Sequence, residues 1–293
     1  MFFHRQELQH TATPEKPDAV YARKLQEVLG GQYGEITVAL QYQFQAWNMH
    51  IPGKYRDLVY GIGAEEMGHV EMLAIMIAQL LEKAPLGITD DAVQDDPTVA
   101  AIVGGTDVQH GIVAGAGARA VDSNGNPWMG SYITASGNLL ADFQANANAE
   151  MQGRVQVARL YHMTDDHGVR DLLAFLLARD TMHQNQWLAA AAELMEEGVE
   201  ALPVPSNFPL KKEHRDVSYQ YINFSNGAMA GDGRWASGPT PDGHGEFSYV
   251  PEPPAGVPAP PPTHPDSRFY GTTEIPNIVE KAAGTVQDAM NKE

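Results

Sequence analysis

The sequence predicts an all-α fold: a four-helix bundle with a long crossover, followed by an irregular C-terminal extension. Three observations carry that prediction. Four runs are long enough, and apolar at helical spacing, to be bundle helices. Each run holds an acid or an imidazole expected near mid-helix: Glu35 in the first, Glu66 and His69 in the second, Glu150 in the third, His183 in the fourth. Beyond about residue 200 the helical periodicity stops and Gly, Asn, Ser and Pro take over.

The first helix is expected over residues 18–49, opening at Pro17-Asp18 and broken by Gly30-Gly31 and Gly34. Each glycine costs a helix about 1 kcal/mol against Ala. Their place just before Glu35 suits a close approach by another backbone or a ligand. The second helix follows the His50-Ile51-Pro52-Gly53 turn and runs over 55–82, with Leu58, Ile62, Met72, Ile75, Met76 and Leu80 at helical spacing. Residues 85–127, rich in Gly, Asp and Ala, suit the long connection that carries a ferritin-like bundle from its first hairpin to its second. The third helix is expected over 132–162. The chain then turns at Thr164-Asp165-Asp166-His167-Gly168, and the fourth helix continues to about 198.

The division expected is a bundle over 1–200 and an extension over 201–293. The extension holds one strand-like piece, Phe247-Ser248-Tyr249-Val250. Eight of the fifteen residues from Pro251 to Pro265 are proline, which favours an extended polyproline arm. An arm of that kind cannot fold alone and is expected to wrap a neighbouring subunit.

Register turns four separate helices into one site. Glu35 lies 17 residues before the first turn at Pro52, and Glu66 and His69 lie 14 and 17 after it. Glu150 lies about 15 residues before the second turn, between Asp165 and Asp166, and His183 about 17 after it. At 1.5 Å per residue all five stand roughly 21–26 Å from their turns, so they meet at one height in each hairpin. Glu66 and His69, three apart, share one helix face, which points Glu65 and Glu71 towards solvent. Unpaired carboxylates in a bundle core cost on the order of several kcal/mol each, so three Glu and two His converging there imply a two-metal site. His110, in the crossover, and His162 and His167, at the turn, fall outside that level. Asp180 stands three residues before His183 and can act from just behind the metals. Carboxylate and imidazole donors suit manganese and iron alike.

Composition narrows the function. The net charge is −18 and the pI about 4.9, which excludes nucleic acid and anionic membrane surfaces as natural partners. There is no cysteine, hence no disulfide, zinc–thiolate site or iron–sulfur cluster. Nothing in the first residues resembles a secretory signal, and no run of about 18 apolar residues exists to span a membrane. A cytoplasmic location is expected.

The chain resembles the manganese catalases. The resemblance rests on Lys54-Tyr55-Arg56-Asp57 leading into Glu65-Glu66-Met67-Gly68-His69-Val70-Glu71-Met72, on Asp180-Thr181-Met182-His183-Gln184, and on Asn223-Phe224-Ser225-Asn226-Gly227. It implies disproportionation of hydrogen peroxide at two manganese ions held by Glu35, Glu66, His69, Glu150 and His183. Glu66 would be the bridging carboxylate, with an oxide, hydroxide or water as a further bridge. It also implies Asp180 as an outer acid and Tyr42 as a hydrogen-bonding phenol, within a homohexamer. Some members carry an Arg just before the third Glu, where this chain has Ala149. Arg154, one turn on, is the candidate replacement. Some members bind calcium, which would fall on Asp57, Asn223, Ser225 and Gly227, although a second helix acid is replaced by Gly61. The competing readings are a di-iron carboxylate oxidase or peroxidase using Asp180 as a sixth ligand, and a metal-storage subunit.

Overall fold

A computed structural model describes residues 4–51, 53–84, 111–227 and 229–260. Among the described residues its first compact unit holds five α-helices: α1 (Ala19–Gly30), α2 (Glu35–Asn48), α3 (Lys54–Leu81), α4 (Leu139–Tyr161) and α5 (His167–Glu196). The unit covers Met1–Arg215 and Pro241–His244. α1 and α2 share the length expected of one bundle helix. With α3 they form the first layer, and α4 with α5 the second.

Side-chain caps explain where α1, α4 and α5 start, whereas α2 and α3 follow Gly34 and Gly53. Asp18 accepts from the Tyr21 N–H at 2.8 Å, Asn138 from Ala141 at 3.0 Å and Asp166 from Val169 at 3.0 Å. Each short polar side chain satisfies an N–H that the first turn leaves without a partner. The third bundle helix therefore starts at Leu139, seven residues later than expected. Residues 130–132 form only a 3₁₀ turn, and Gly137 takes a left-handed backbone (φ 82°) just ahead of the Asn138 cap.

The glycines behave as the sequence suggested, and their consequence is sharper. They split the first helix in two, so Glu35 is the first residue of α2 and not a mid-helix group. A Cβ on Gly30 would lie 2.3 Å from the Val121 carbonyl oxygen. That glycine admits the end of the crossover, which Gln26 also grips through the Arg119 and Val121 carbonyls at 2.7 and 3.0 Å. Much of the expected crossover, with His110, lies outside the described residues. Residues 111–127 are largely irregular, closed by a bridge between Val121 and Pro127.

Two apolar clusters fill the bundle. One joins Leu25 and Leu29 of α1, Met72 to Leu81 of α3, Val157 and Leu160 of α4, and Val169 to Leu176 of α5. The other joins Val38 to Met49 around α2, Tyr55 to Ile62 of α3, Leu139 to Ala149 of α4, and Trp187 to Leu194 of α5. Between the clusters lie Glu35 of α2, Glu66 and His69 of α3, Glu150 of α4, and Asp180 and His183 of α5. Of the expected α3 core positions Leu58 and Ile75 are only half-buried, while Val59, Leu73 and Ile77 are fully buried in their stead.

The second unit covers Asp216–Thr240 and Gly245–Glu293. Its described part is a three-stranded sheet in the order β1 (Gln220–Ile222), β3 (Glu246–Val250), β2 (Gly238–Pro239). β1 runs parallel to β3 with Tyr221 opposite Tyr249, and β2 runs antiparallel to it. The proline-rich residues 251–260 are exposed. No helix among the described residues is long and apolar enough to cross a membrane.

Candidate metal centre

Glu66 stands at the centre of the polar layer, fully buried. Its Oε2 lies 2.7 Å from Nδ1 of His69, one helical turn along α3, and its Oε1 lies 2.6 Å from Nδ1 of His183 on α5. Glu35 Oε2 approaches the His69 Nδ1 at 3.6 Å, and Glu150 Oε1 approaches the His183 Nδ1 at 3.9 Å. The imidazoles are stacked 5.7 Å apart, tilted by 23°. The donors thus divide into two groups that share Glu66: Glu35, Glu66 and His69 in one, and Glu66, Glu150 and His183 in the other. Within each group every donor atom lies within 4.8 Å of the rest. All five sequence-predicted donors are brought together, and all are buried.

Among the described residues, buried Glu66 Oε1, both ring nitrogens of His183 and Nε2 of His69 lack an aligned hydrogen-bond partner, the two Nε2 atoms facing Glu65 at ion-pair distance. Leaving such atoms unsatisfied costs on the order of 1–3 kcal/mol each, and a cation shared with the neighbouring carboxylates removes the penalty. The set of three carboxylates and two imidazoles fits two divalent ions of the first transition row.

The electrostatics describe what the metal-free site does with its charge. Burial pushes the Glu35 carboxyl up to about 8, aided by the Glu66 charge. Burial, with the charges of Glu66 and Asp180, likewise raises Glu150. Burial also works against ionised Glu66. The His69 charge and the contacts from His183 and His69 outweigh it and hold Glu66 well below the usual carboxylate range. Against the effect of burial, Glu65 and Glu66 raise His183 to about 10, and Glu66 and Glu35 raise His69 well above its ordinary value.

Tyr42 is fully buried and donates its hydroxyl to Glu150 Oε1 at 2.5 Å. Trp187, which the sequence reading passed over, donates its Nε1–H to the same oxygen at 3.3 Å and lies against the Tyr42 ring with centroids 4.9 Å apart. Asp180 is buried on α5, where burial and the Glu35 and Glu66 charges raise its carboxyl well above the ordinary value. It is absent from both donor groups. Arg154 reaches across to α5, where its Nη1 donates to the Leu177 carbonyl and the Thr181 hydroxyl, on either side of Asp180 in sequence.

Glu65 is a correction. It does not face solvent: its side chain is only 21% exposed and stands behind both imidazoles. Its Oε2 lies 3.2 Å from His183 Nε2 and its Oε1 3.8 Å from His69 Nε2. Arg179 grips both oxygens, Nε at 2.5 Å and Nη2 at 3.3 Å. Burial opposes the charge on Glu65, but the contacts from His183, His69, Arg179 and Gln9 dominate and keep it ionised. A signal existed in the spacing: Glu65 is four residues before His69 and Arg179 four before His183, the next turn on the same helix faces. Glu71 is half-exposed and meets His4 at 3.1 Å.

The calcium residues divide between the two units. Asp57 is exposed in the first turn of α3. Asn223, Ser225 and Gly227 close a turn of their own: Asn223 Oδ1 accepts from the Ser225 N–H at 3.0 Å, and Ser225 Oγ from the Gly227 N–H at 3.1 Å.

Comparison with known proteins agrees with this geometry. The profile of the family described as "Manganese containing catalase" matches residues 1–286. A Bacillus subtilis manganese catalase is 55% identical over 252 residues, covering 86% of this chain and 91% of its own length. A manganese catalase of Lactiplantibacillus plantarum is 43% identical over 262 residues, 88% of this chain and 95% of that one. The crystal structure of KatB, a manganese catalase from Anabaena, superposes with a TM-score of 0.67 at 27% identity, covering 86% of this chain and all of that one. With the family profile spanning nearly its whole length and a buried double donor group at its centre, the chain belongs to the manganese-containing catalase family.

Proposed function

We propose that this protein is a non-haem manganese catalase that converts two hydrogen peroxide molecules to two waters and dioxygen. The observation that carries the reading is the pair of buried donor groups sharing Glu66. Glu35, Glu66 and His69 would hold one manganese, and Glu66, Glu150 and His183 the other, with an oxide, hydroxide or water as a second bridge. Two manganese ions, when bound, supply and accept electrons as a pair, so peroxide is reduced and oxidised without a free radical.

The chain's own residues have three tasks in this reading. Glu35, Glu66 and Glu150 offset most of the charge of two divalent cations, so a change of oxidation state meets little electrostatic resistance. Asp180 is the proton carrier. Buried on α5 beside the donor groups, it would pass a proton to the peroxide that is reduced and take one back from the peroxide that is oxidised. Tyr42 and Trp187 both donate to Glu150 Oε1, which orients the carboxylate. Arg154 supplies a cation near Asp180 in place of the family arginine at Ala149.

The reading extends to a cytoplasmic homohexamer in which the proline-rich arm lies on a neighbouring subunit. The exposed residues 251–260 and the exposed Phe44, Trp47 and Ile51 support that part. Calcium belongs to the same reading only through the Asn223–Gly227 turn, where the Asn223 and Ser225 side chains offer oxygen donors. The test is metal content together with oxygen release from hydrogen peroxide, on protein produced with manganese supplied. About two manganese per chain with rapid oxygen release is expected. Two irons with little oxygen release would instead favour the di-iron oxidase or peroxidase.

A further inference from the structure

Residues 4–18 form no helix or strand, yet they are tied down along their length. His4 meets Glu71 on α3 at 3.1 Å. Leu8 and Ala12 pack against the apolar cluster beneath the metal level. His10 lies flat on Phe175 of α5, with centroids 4.6 Å apart and planes 7° off parallel, and bonds Asp171 at 2.8 Å. The Glu15 N–H donates to Asp166 at 2.7 Å and the Asp18 N–H to the Leu80 carbonyl at 2.9 Å. The segment is a strap tied to α3 and to α5 with its N-cap, the two helices that carry His69 and His183.

Midway along the strap, Gln9 Nε2 donates to Glu65 Oε1 at 2.8 Å. Glu65 is the carboxylate behind both imidazoles, and its other firm partner is Arg179. Without Gln9 the carboxylate keeps only Arg179, itself about one-third exposed (32%), on the side away from the imidazoles, and Oε1 loses the partner that holds it at its 3.8 Å distance from His69. A metal-bound imidazole is oriented by whatever its second nitrogen faces, so a change at Glu65 reaches both metal positions together.

We infer that Gln9 is a positioning residue of the dimetal centre: through Glu65 it holds both histidines in place, and the N-terminal strap thereby governs how tightly the metals are retained. The inference rests on the dimanganese reading above. Gln9 is exposed, so replacing it leaves the core intact.

The experiment compares manganese loss to excess EDTA from the loaded wild-type protein, Gln9→Leu and Gln9→Glu, with melting of the metal-free proteins alongside. Outer partners of metal ligands typically change affinity 10–100-fold, so about tenfold faster release is expected for Gln9→Leu. Gln9→Glu, which sets a like charge against Glu65, should release faster still, with melting temperatures unchanged. His10→Ala, which unties the strap without touching Glu65, should accelerate release in the same direction. Release within twofold of wild type in both Gln9 variants overturns the inference. So does faster release that only tracks a lowered metal-free melting temperature. A wild-type protein that holds no manganese fails the dimanganese reading itself, a result visible before any variant is made.

Discussion

Gly168→Ala sets two effects of opposite sign against each other. Gly168 is the second residue of α5, and alanine there should gain up to about 1 kcal/mol of helix propensity. An added Cβ would also lie 1.8 Å from the Thr13 carbonyl oxygen and 2.6 Å from its carbon. Both are strap backbone atoms, so no side-chain rotation relieves the contact. Restoring an ordinary separation moves the strap outward by roughly 1.6 Å. That displacement breaks the adjacent bond from the Glu15 N–H to the Asp166 carboxylate, now 2.7 Å long. A hydrogen bond to a charged group is worth about 1.5–3 kcal/mol, so strap docking should weaken by roughly 0.5–2 kcal/mol net of the helix gain. Its open population should rise about 2- to 30-fold. Tryptic cleavage after the exposed Arg5, and amide exchange over residues 8–16, read this directly. A variant that melts higher than wild type with unchanged strap protection would show that helix propensity wins, and the docking geometry would then be wrong.

Further expectations concern the charges. In the metal-free protein Glu35 is raised from 4.5 to about 8 and His183 from 6.5 to about 10. Both folded values exceed the unfolded ones, so the stability these groups contribute is complete below pH 4.5 and 6.5 respectively. It is lost as pH rises through about 8 and 10. Manganese takes the deprotonated forms, so its stabilisation, read as the melting shift on anaerobic MnCl2 addition, should grow from about pH 5 to about pH 9. A shift that stays flat or shrinks contradicts the site electrostatics. Asp180→Asn should keep two manganese and lose turnover by about 10²- to 10⁴-fold, and full turnover with full metal removes Asp180 from proton transfer. Arg154→Ala should lower activity with metal content intact, and unchanged kinetics would leave that arginine no role beyond joining α4 to α5.

A large part of the site could be read from the sequence because helices are regular. Glu66 and His69 share a face by spacing alone, and rise per residue set Glu35, Glu150 and His183 at the same height without any coordinates. The apolar residues above and below that level then fell into separate clusters, as the periodicity of each helix required. The breaks were partly legible: Gly30-Gly31 and Gly34 marked the end of α1, and the late start of α4 followed from an Asn138 cap that the apolar pattern did not reveal.

What the sequence by itself determined was the element order, the five donors and their common level, because these depend on local repeats of 3.6 residues and on distance along a helix. Only the tertiary structure decided what stands behind those donors. Glu65 turned inward because α5 presents Arg179 and His183 to it, and its fate depended on helix rotation, which no single segment encodes. Trp187 reached Glu150 from another helix, and Gln9 reached Glu65 from a strap with no periodicity at all. Those contacts are set by long-range packing. Side chains 37 and 56 residues apart meet there because the bundle brings them together, and spacing along the chain does not predict it.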